Sequence, residues 1–534
     1  MLELSQGLLN GTIEESRYGR KYAAFFGIPY AKPPIGNLRF KNPEPADKWD
    51  GIRRANLFKN TCPQLIEGNV VGNEDCLFLN VYTPLLKFDS SLTNEKTNKK
   101  LFPVMVWIHG GGFHAGSSNN IRGNYILDQD VILVTVNYRL EALGFLCIGN
   151  SAAPGNYGLK DQVLALKWVQ KNIKSFGGDL NKVTLAGHSA GGASVALHAL
   201  SKASNKLFHQ YIIQSGSPLG TWAYKKSSDL IEYAKKIAQL VSCDFNTTDS
   251  FVDCLRTKSV ESLLKTRNIF GELGEWTKIG WCTTDEPDTE DAFLTDSPKN
   301  LMEQNQMKDL PFIVGGVTEE GLVPGLYTDS SQYSFVTSKL DQLILFIAGP
   351  LLNFQNETDF LASVKKFYFN NSIDFSNKDK FLENLTHYMS DGYFIYPEVK
   401  MLEKVAPKLT SPIYFYSFGY LGTHSNNSGI ENNRNLGVRH GGELLYLFPT
   451  PHHNFTKTEK SISELMVDLW TSFVINGKPI SKQFQTDNFW ERYNPEKNNY
   501  LQIGNINDNT DPRVSLSNNL FTNRMNFWRK NSSF

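Results

Sequence analysis

Short apolar runs recur along the middle of the chain, each bounded by glycine or polar residues. Those with the length and apolar character of buried strands are Phe102–Ile108, Asp130–Asn137 and Lys182–Ala186, followed later by Pro311–Gly315 and Pro412–Ser417. Stretches of helical periodicity separate the first three runs. Because strands that alternate with helices form crossover units, the pattern predicts a large, mostly parallel sheet with helices on both faces.

The helical stretches are recognised by the spacing of their apolar residues. Apolar residues at 159, 163, 166, 169 and 173 predict a helix from Leu159 to Phe176, which Gly177 and Gly178 end. Residues 193–200 predict a second helix, and residues 220–300 and 325–410 read as mainly helical insertions with polar loops. No repeat or clear linker divides the chain, so we expect one α/β domain over residues 1–534.

The composition narrows the class of protein. The chain has 534 residues with 54 Lys plus Arg and 54 Asp plus Glu, so its formal net charge is zero. This balance argues against nucleic acid as a partner. No apolar run reaches 18 residues, so we expect no membrane span. Residues Met1–Ser5 lack the basic and apolar regions of a secretory signal, which leaves open both a native Met1 and a start from which a signal was removed. Residues 89–100 read as a polar surface loop.

Cysteines and glycosylation sequons bear on the compartment. Cys62 and Cys76 lie close in sequence, as do Cys243 and Cys254, and a crosslink closing such a loop contributes about 3 kcal/mol. Neither pair has the spacing of a zinc site, so we expect no metal. N-x-S/T sequons occur at Asn10, Asn246, Asn356, Asn370, Asn384, Asn426, Asn454 and Asn531. Together these favour a secreted or lumenal protein over a cytoplasmic one with reduced cysteines.

A nucleophile motif follows the third strand. Gly187-His-Ser-Ala-Gly191 matches G-x-S-x-G between a short apolar strand and a helix, which is the strand–turn–helix that a nucleophile elbow needs. Small residues around Ser189 allow the tight turn, and the following helix N-terminus places partial positive charge where an oxyanion would form. Ser189 is therefore the candidate nucleophile.

A glycine motif follows the first strand. His109-Gly-Gly-Gly112 offers backbone N–H groups to a substrate oxygen, as acyl transfer requires. The alternatives are a plain glycine turn or a phosphate loop, but the chain has neither a Gly-Lys-Ser/Thr motif nor a dinucleotide fingerprint. The two motifs in this order favour acyl transfer.

A serine nucleophile needs a base that is oriented by an acid, in the chain order Ser, Asp/Glu, His. The histidines downstream are His198, His209, His387, His424, His440, His452 and His453. His440 is distinguished by flanking glycines in Gly437-Val-Arg-His-Gly-Gly-Glu443, and Glu319 and Glu320 directly follow a predicted strand. The spacing alone does not choose among them.

Longer motifs carry a resemblance to a known family. The chain resembles type-B carboxylesterases of the cholinesterase family, and insect carboxylesterases in particular, nearly from end to end. The matching segments are Phe26–Phe40, Glu74–Pro84, Gly155–Gln162 and Phe176–Gly191. The resemblance implies the α/β-hydrolase fold.

The resemblance also implies roles for individual residues. It makes Ser189 the nucleophile, Glu320 the acid and His440 the base. The remaining assignments are oxyanion donors on Gly111, Gly112 and Ala190, disulfides Cys62–Cys76 and Cys243–Cys254, free Cys147 and Cys282, salt bridges Arg39–Glu74 and Arg139–Asp161, and a polar pair near the triad, Ser215 and Glu443, where a helix-start role for Glu443 stays open.

Departures from the family pattern concern the substrate. Cholinesterases carry a Trp between the first two cysteines to bind choline, whereas residues 63–75 contain no aromatic residue. The residue before the nucleophile is His188, where cholinesterases commonly have Glu and juvenile hormone esterases typically have Gln. Acetylcholine is therefore not expected. Trp222 and Trp281 fall where the family builds its acyl pocket, though a packed-core role is equally open.

The expected function is hydrolysis of small to medium apolar carboxylic esters, such as xenobiotic, odorant, pheromone or hormone esters, through an acyl-enzyme without metal or organic cofactor. The partner would be a small-molecule ester, and the chain a monomer or weak dimer. The alternatives are a juvenile-hormone-esterase-like hydrolase and a non-catalytic adhesion protein of the same fold, against which the complete Ser189, Glu320 and His440 set argues.

Overall fold

The structure is a computed structural model that describes residues 1–88, 100–245, 247–267, 280–323, 325–348, 357–423, 436–450, 454–484, 489–504 and 514–532. Nearly all of the predicted surface loop, residues 89–99, lies outside these ranges, as do Asn246, Asn356 and Asn426 among the sequons and His424, His452 and His453 among the histidines.

The strands are short at the N-terminus and longer in the middle of the chain. They are β1 Leu2–Leu4, β2 Gly7–Asn10, β3 Thr12–Glu15, β4 Lys21–Pro29, β5 Ile52–Arg54, β6 Gln64–Ile66, β7 Asn69–Val71, β8 Phe78–Thr83, β9 Phe102–Ile108, β10 Ile132–Val136, β11 Gly178–His188, β12 Gln210–Gln214, β13 Phe312–Val317, β14 Ile413–Phe418, β15 Asn499–Ile503 and β16 Val514–Asn518.

Eleven of these strands form one mixed sheet in the order β16-β15-β14-β13-β12-β11-β9-β10-β8-β4-β3. Its centre, from β10 to β15, is parallel, and the pairs at both edges are antiparallel. The predicted α/β-hydrolase class is confirmed in this centre. All five predicted strands are present, with ends shifted by a few residues.

Helices follow most of the central strands. They are α1 Glu141–Phe145, α2 Tyr157–Asn172, α3 Ala190–Leu200, α4 Ser227–Leu240, α5 Thr248–Thr257, α6 Val260–Lys265, α7 Pro298–Glu303, α8 Gly325–Thr328, α9 Ser330–Ser338, α10 Leu340–Ala348, α11 Glu357–Phe369, α12 Lys378–Ser390, α13 Tyr396–Val405, α14 Lys457–Asn476 and α15 Thr522–Asn531. The predicted helix 159–176 is α2 plus a 3₁₀ turn at Ile173–Phe176.

Two hydrophobic cores lie on opposite faces of the sheet. Successive residues of β9 alternate between them, with Val104 and Val106 in one core and Met105 and Trp107 in the other. The first core takes apolar residues of α2 and α3, and the second takes those of α14. The prediction of helices on both faces is therefore confirmed.

Covalent and ionic links hold the loops around the sheet. Disulfides join Cys62 to Cys76 and Cys243 to Cys254, while Cys147 and Cys282 are free and buried. The Arg39 guanidinium donates to both carboxylate oxygens of Glu74, at 2.7 and 2.6 Å. In the second pair, Arg139 Nε and Nη2 donate to the buried Asp161 carboxylate at 2.8 and 2.7 Å. These pairings are the expected ones.

Candidate active site

Ser189 sits at the turn between β11 and α3. Its backbone has a positive φ, with φ 59° and ψ −123°, and its N–H donates to the Gln214 carbonyl at 2.8 Å. The turn tolerates no larger neighbours, because a Cβ on Gly187 would lie 2.5 Å from the Gly191 carbonyl oxygen. The small residues in the motif therefore permit the sharp turn that lifts Ser189 to the carboxyl end of the sheet.

His440 and Glu320 form a hydrogen-bonded pair beside Ser189. The His440 Nδ1–H donates to Glu320 Oε2 at 2.5 Å, and Glu320 Oε1 accepts from the Val317 N–H at 2.8 Å. The Glu320 side chain is 1% exposed, whereas that of His440 is 28% exposed and faces the cavity. Two contacts on one carboxylate thus fix the orientation of the imidazole.

The structure distinguishes between the candidates that spacing left open. Glu319 accepts from the Val438 N–H at 3.1 Å, away from the His440 ring. His198 is buried between Gln162 and Ser204, which contact its two ring nitrogens at 2.9 and 2.6 Å. Only Glu320, of the two acids, reaches His440.

The glycine loop after β9 lies directly against Ser189. A Cβ on Gly110 would lie 2.7 Å from the His188 carbonyl oxygen and 2.9 Å from Ser189 Cβ, so only glycine allows this approach. Gly111 and Gly112 have φ of 110° and 59°. Within the described residues, neither of their N–H groups donates to a protein acceptor, and neither does that of Ala190, which begins α3. Three backbone donors are therefore available beside the serine.

The three side chains and the glycine loop line one cavity of about 510 Å³. Its walls are mainly apolar: Trp107, Ile121, Trp222, Val323, Met389, Tyr393, Phe394 and Leu444 contribute. Trp222 lines the cavity, and its Nε1–H donates to the Tyr393 carbonyl at 3.0 Å. Trp281 is not among the described lining residues; it packs in the core, with its ring 6.5 Å from that of Tyr233. The pocket position that the family resemblance implied for Trp281 is therefore not confirmed, and the structure favours the packed-core alternative.

His188 and Glu443 are buried next to the triad. Burial, and secondarily the neighbouring His440, hold the pKa of His188 well below its usual range. Burial and then the charge of Glu320 raise the pKa of Glu443 to about 7. Glu443 Oε1 accepts from Gln214 Nε2 at 3.2 Å, and the His188 Nε2 atom lies 3.9 Å from it. Ser215 is fully buried, and a Cβ on Gly316 would touch both its Oγ and Glu320.

A turn of π-helix at Asp391–Ile395 supplies residues that the sequence did not reveal. It places Tyr393 and Phe394 in the cavity wall, and the Phe394 and His188 rings each lie 4.5 Å from the His440 ring. Asp391 anchors the turn, accepting from Arg524 and from the Tyr368 hydroxyl at 2.6 Å. A π-turn breaks the 3.6-residue period, so no periodic signal marks it.

Within the described residues, no cluster of three or more His, Cys, Asp or Glu side chains has the arrangement to hold a metal ion. None of the described helices combines the length and apolar character that a membrane crossing requires.

Comparison with known proteins adds independent evidence. A family model described as "Carboxylesterase family" matches residues 1–528. A carboxylic ester hydrolase of Bombus ignitus is 34% identical over 99% of the chain and 93% of its own length. A juvenile hormone esterase of Tribolium castaneum is 35% identical over 94% of the chain and 87% of its own length. Esterase FE4 of Myzus persicae is 34% identical over 90% of the chain and 84% of its own length.

Proposed function

The chain belongs to the carboxylesterase family, and from that premise we propose that it hydrolyses carboxylic esters through an acyl-enzyme on Ser189. The observation that carries this proposal is the arrangement of one cavity: Ser189, the His440–Glu320 pair and the Gly111–Gly112 loop all line it. A nucleophile, an oriented base and free backbone donors at one point are what acyl transfer needs.

The chemistry follows from the roles of these groups. The Glu320 carboxylate holds the proton on His440 Nδ1, which leaves Nε2 to take the proton of the Ser189 hydroxyl as its oxygen attacks the ester carbonyl. The N–H groups of Gly111, Gly112 and Ala190 stabilise the oxyanion. The alcohol leaves with a proton from His440, and water then attacks the acyl-enzyme in the same way, releasing the acid.

The cavity favours small to medium apolar esters. Its volume of about 510 Å³ and its apolar lining suit a neutral substrate. The depressed pKa of His188 keeps that ring uncharged at neutral pH, and it takes the position where cholinesterases commonly carry a carboxylate. Xenobiotic, odorant, pheromone and hormone esters all fit this class. The similarity to a juvenile hormone esterase supports hormone turnover as a second candidate role.

The test is hydrolysis of a short-acyl naphthyl ester by the wild type and by Ser189→Ala. We expect turnover by the wild type and none above background by the variant, with covalent labelling by an organophosphate only where Ser189 is present. Ser194→Ala is the matched control, because Ser194 is a buried serine of α3, the helix that follows Ser189, and its Oγ donates to the Ala190 carbonyl at 2.8 Å. A folded wild type with neither turnover nor labelling would favour the adhesion alternative.

We also propose that the protein is secreted or resides in a lumen and that the chain forms a single domain. Two disulfides and exposed sequons at Asn10, Asn370 and Asn454 support secretion or residence in an oxidising lumen. A single domain over residues 1–534 is supported by the sheet, whose strands run from Thr12 in β3 to Asn518 in β16. For the oligomeric state, monomer or weak dimer stays a prediction.

A further inference from the structure

The glycine loop that carries the proposed oxyanion donors folds back on itself. The N–H groups of His114 and Ala115 both donate to the Gly111 carbonyl, at 3.0 and 2.9 Å. At the end of the loop Gly116 has φ of 112°, and a Cβ there would overlap the Gly110 carbonyl oxygen and the His109 ring. The position of Gly111 and Gly112 therefore depends on what holds Gly116.

Gly116 is held by the side chain of Gln64, which lies 52 residues before it in the chain. The Gly116 N–H donates to Gln64 Oε1 at 2.9 Å, and Gln64 Nε2 donates back to the Gly116 carbonyl at 3.0 Å. This two-point pairing copies the exchange between residues of neighbouring strands. Gln64 is only 5% exposed, so water does not readily replace either bond.

Gln64 is itself fixed by a covalently closed segment. It begins β6, two residues after Cys62, and its Nε2 also donates to the Cys62 carbonyl at 3.0 Å. The disulfide to Cys76 closes the segment around the β6–β7 hairpin. The amide thus has its three main bonding positions occupied, two of them by the glycine loop.

The other end of the segment reaches the same loop through Asn137. Asn137 Nδ2 donates to the Cys76 carbonyl at 3.2 Å, while its Oδ1 accepts from the Ser118 N–H at 2.8 Å and from the Ser117 hydroxyl at 3.1 Å. Ser117 and Ser118 directly follow Gly116. The segment is therefore connected to the end of the glycine loop twice, directly through Gln64 near Cys62 and indirectly through Asn137 at Cys76.

We propose that Gln64 is a positioning residue for ester hydrolysis, which holds Gly116 so that the N–H groups of Gly111 and Gly112 stay aimed at the oxyanion. The proposal rests on the proposed function. Because these donors stabilise charge that develops in the transition state, the loss of Gln64 affects kcat and leaves ground-state binding in the apolar cavity largely intact.

The decisive variant is Gln64→Met, which keeps the length of the side chain and removes all three hydrogen bonds. We expect kcat for the naphthyl ester to fall about 10- to 100-fold with KM within about twofold of the wild type. Gln64→Glu keeps the acceptor for the Gly116 N–H and loses the donor to the Gly116 carbonyl. Its kcat should therefore lie between that of the wild type and that of Gln64→Met. It also serves as the second variant should Gln64→Met fail to fold.

Two inhibitors distinguish a loss of oxyanion-donor geometry from general disruption of the cavity. A trifluoromethyl ketone adds the Ser189 oxygen to its carbonyl carbon, the carbonyl electron pair moves to the oxygen, and the serine proton passes to His440. That adduct needs the oxyanion donors, whereas the parent methyl ketone binds largely as a neutral ligand. We expect Gln64→Met to weaken the binding of the trifluoromethyl ketone by the same factor by which kcat falls. The affinity for the methyl ketone should stay within about twofold of that of the wild type.

Gln170→Met is the matched control. Gln170 is a half-buried glutamine of α2 whose Nε2 also bonds two carbonyls, those of Leu180 and Leu207, and it does not line the cavity. The inference is overturned if a folded Gln64→Met or Gln64→Glu keeps wild-type kcat, if both ketones weaken equally, or if Gln170→Met loses as much kcat. An inactive wild type would overturn the proposed function itself, and the inference with it.

Discussion

At the scale of single residues, we expect His188 to influence the preference for the charge of the substrate. Its ring is uncharged and lies 4.5 Å from that of His440. His188→Glu would put a carboxylate in the cavity wall, and a carboxylate within several ångströms of a substrate cation is expected to interact favourably with it by about 1–2 kcal/mol. We expect the ratio of kcat/KM for acetylthiocholine to that for its neutral carbon isostere to rise about tenfold. His188→Gln should leave the ratio unchanged, and a rise there would assign the effect to shape.

The buried carboxyl of Glu443 leads to a prediction about the pH dependence of stability. Its pKa is raised from 4.5 to about 7 by burial and by Glu320, so the folded state holds the proton more tightly than the unfolded state. Its effect on the free energy of unfolding is therefore absent below pH of about 4.5, and it becomes increasingly destabilising as the pH rises to about 7.

Glu443→Gln removes this dependence while keeping an acceptor for Gln214. In urea unfolding the variant should match the wild type near pH 4.5 and exceed it at pH 8 by about 3 kcal/mol. Glu383→Gln, at an exposed carboxyl of α12, is the control and should change little at either pH. A difference between Glu443→Gln and the wild type that stays constant with pH would show that this carboxyl ionises normally.

At the scale of elements, the π-turn Asp391–Ile395 links stability to the cavity wall. Asp391 is fully buried and accepts two hydrogen bonds from Arg524, while Phe394 three residues later packs on His440. Asp391→Ala leaves the Arg524 charge without its partner, which costs about 3 kcal/mol, and loosens the turn. We expect a lower Tm and a raised KM for the naphthyl ester. Glu383→Ala breaks an exposed pair and should do neither; an unchanged KM in Asp391→Ala would separate the turn from the cavity.

The strands and the site residues differ in how well the sequence predicts them. Parallel strands such as β9 and β10 are continuous apolar runs because helices cover both faces, so they were predictable. The N-terminal strands β1, β2 and β5 have three or four residues each, too few to show a period, and were not predicted. Ser189 was accessible because the glycines of its motif are local, whereas the choice of Glu320 and His440 among the candidates came from the family resemblance, since spacing left it open. Phe394 and Gln64 were not accessible, since their places depend on a π-turn and on contacts with distant segments.

At the scale of the whole molecule, the sequons that support the proposed secretion can be tested for use. Asn10, Asn370 and Asn454 are exposed, whereas Asn384 and Asn531 are half-buried, and Asn531 also donates through Nδ2 to the Phe527 carbonyl at 2.7 Å. Glycan transfer requires an accessible acceptor in the secretory pathway. When the chain is expressed behind a secretory signal, mass spectrometry after enzymatic deglycosylation should therefore find high occupancy at the first three sites and low occupancy at the other two.

Substitution of the exposed sequons provides the control for the measurement of glycan occupancy. Asn→Gln at Asn10, Asn370 and Asn454 should lower the mass of the secreted protein by a glycan at each site and leave ester hydrolysis unchanged, because none of the three lines the cavity. Occupancy at Asn531 equal to that at Asn370 would show that glycan transfer precedes the packing of α15. Because the added signal imposes the secretory route, absence of glycan at all three exposed sites would remove the sequons as support for the proposed secretion. The two disulfides would then be the only structural support for an oxidising compartment within the described residues.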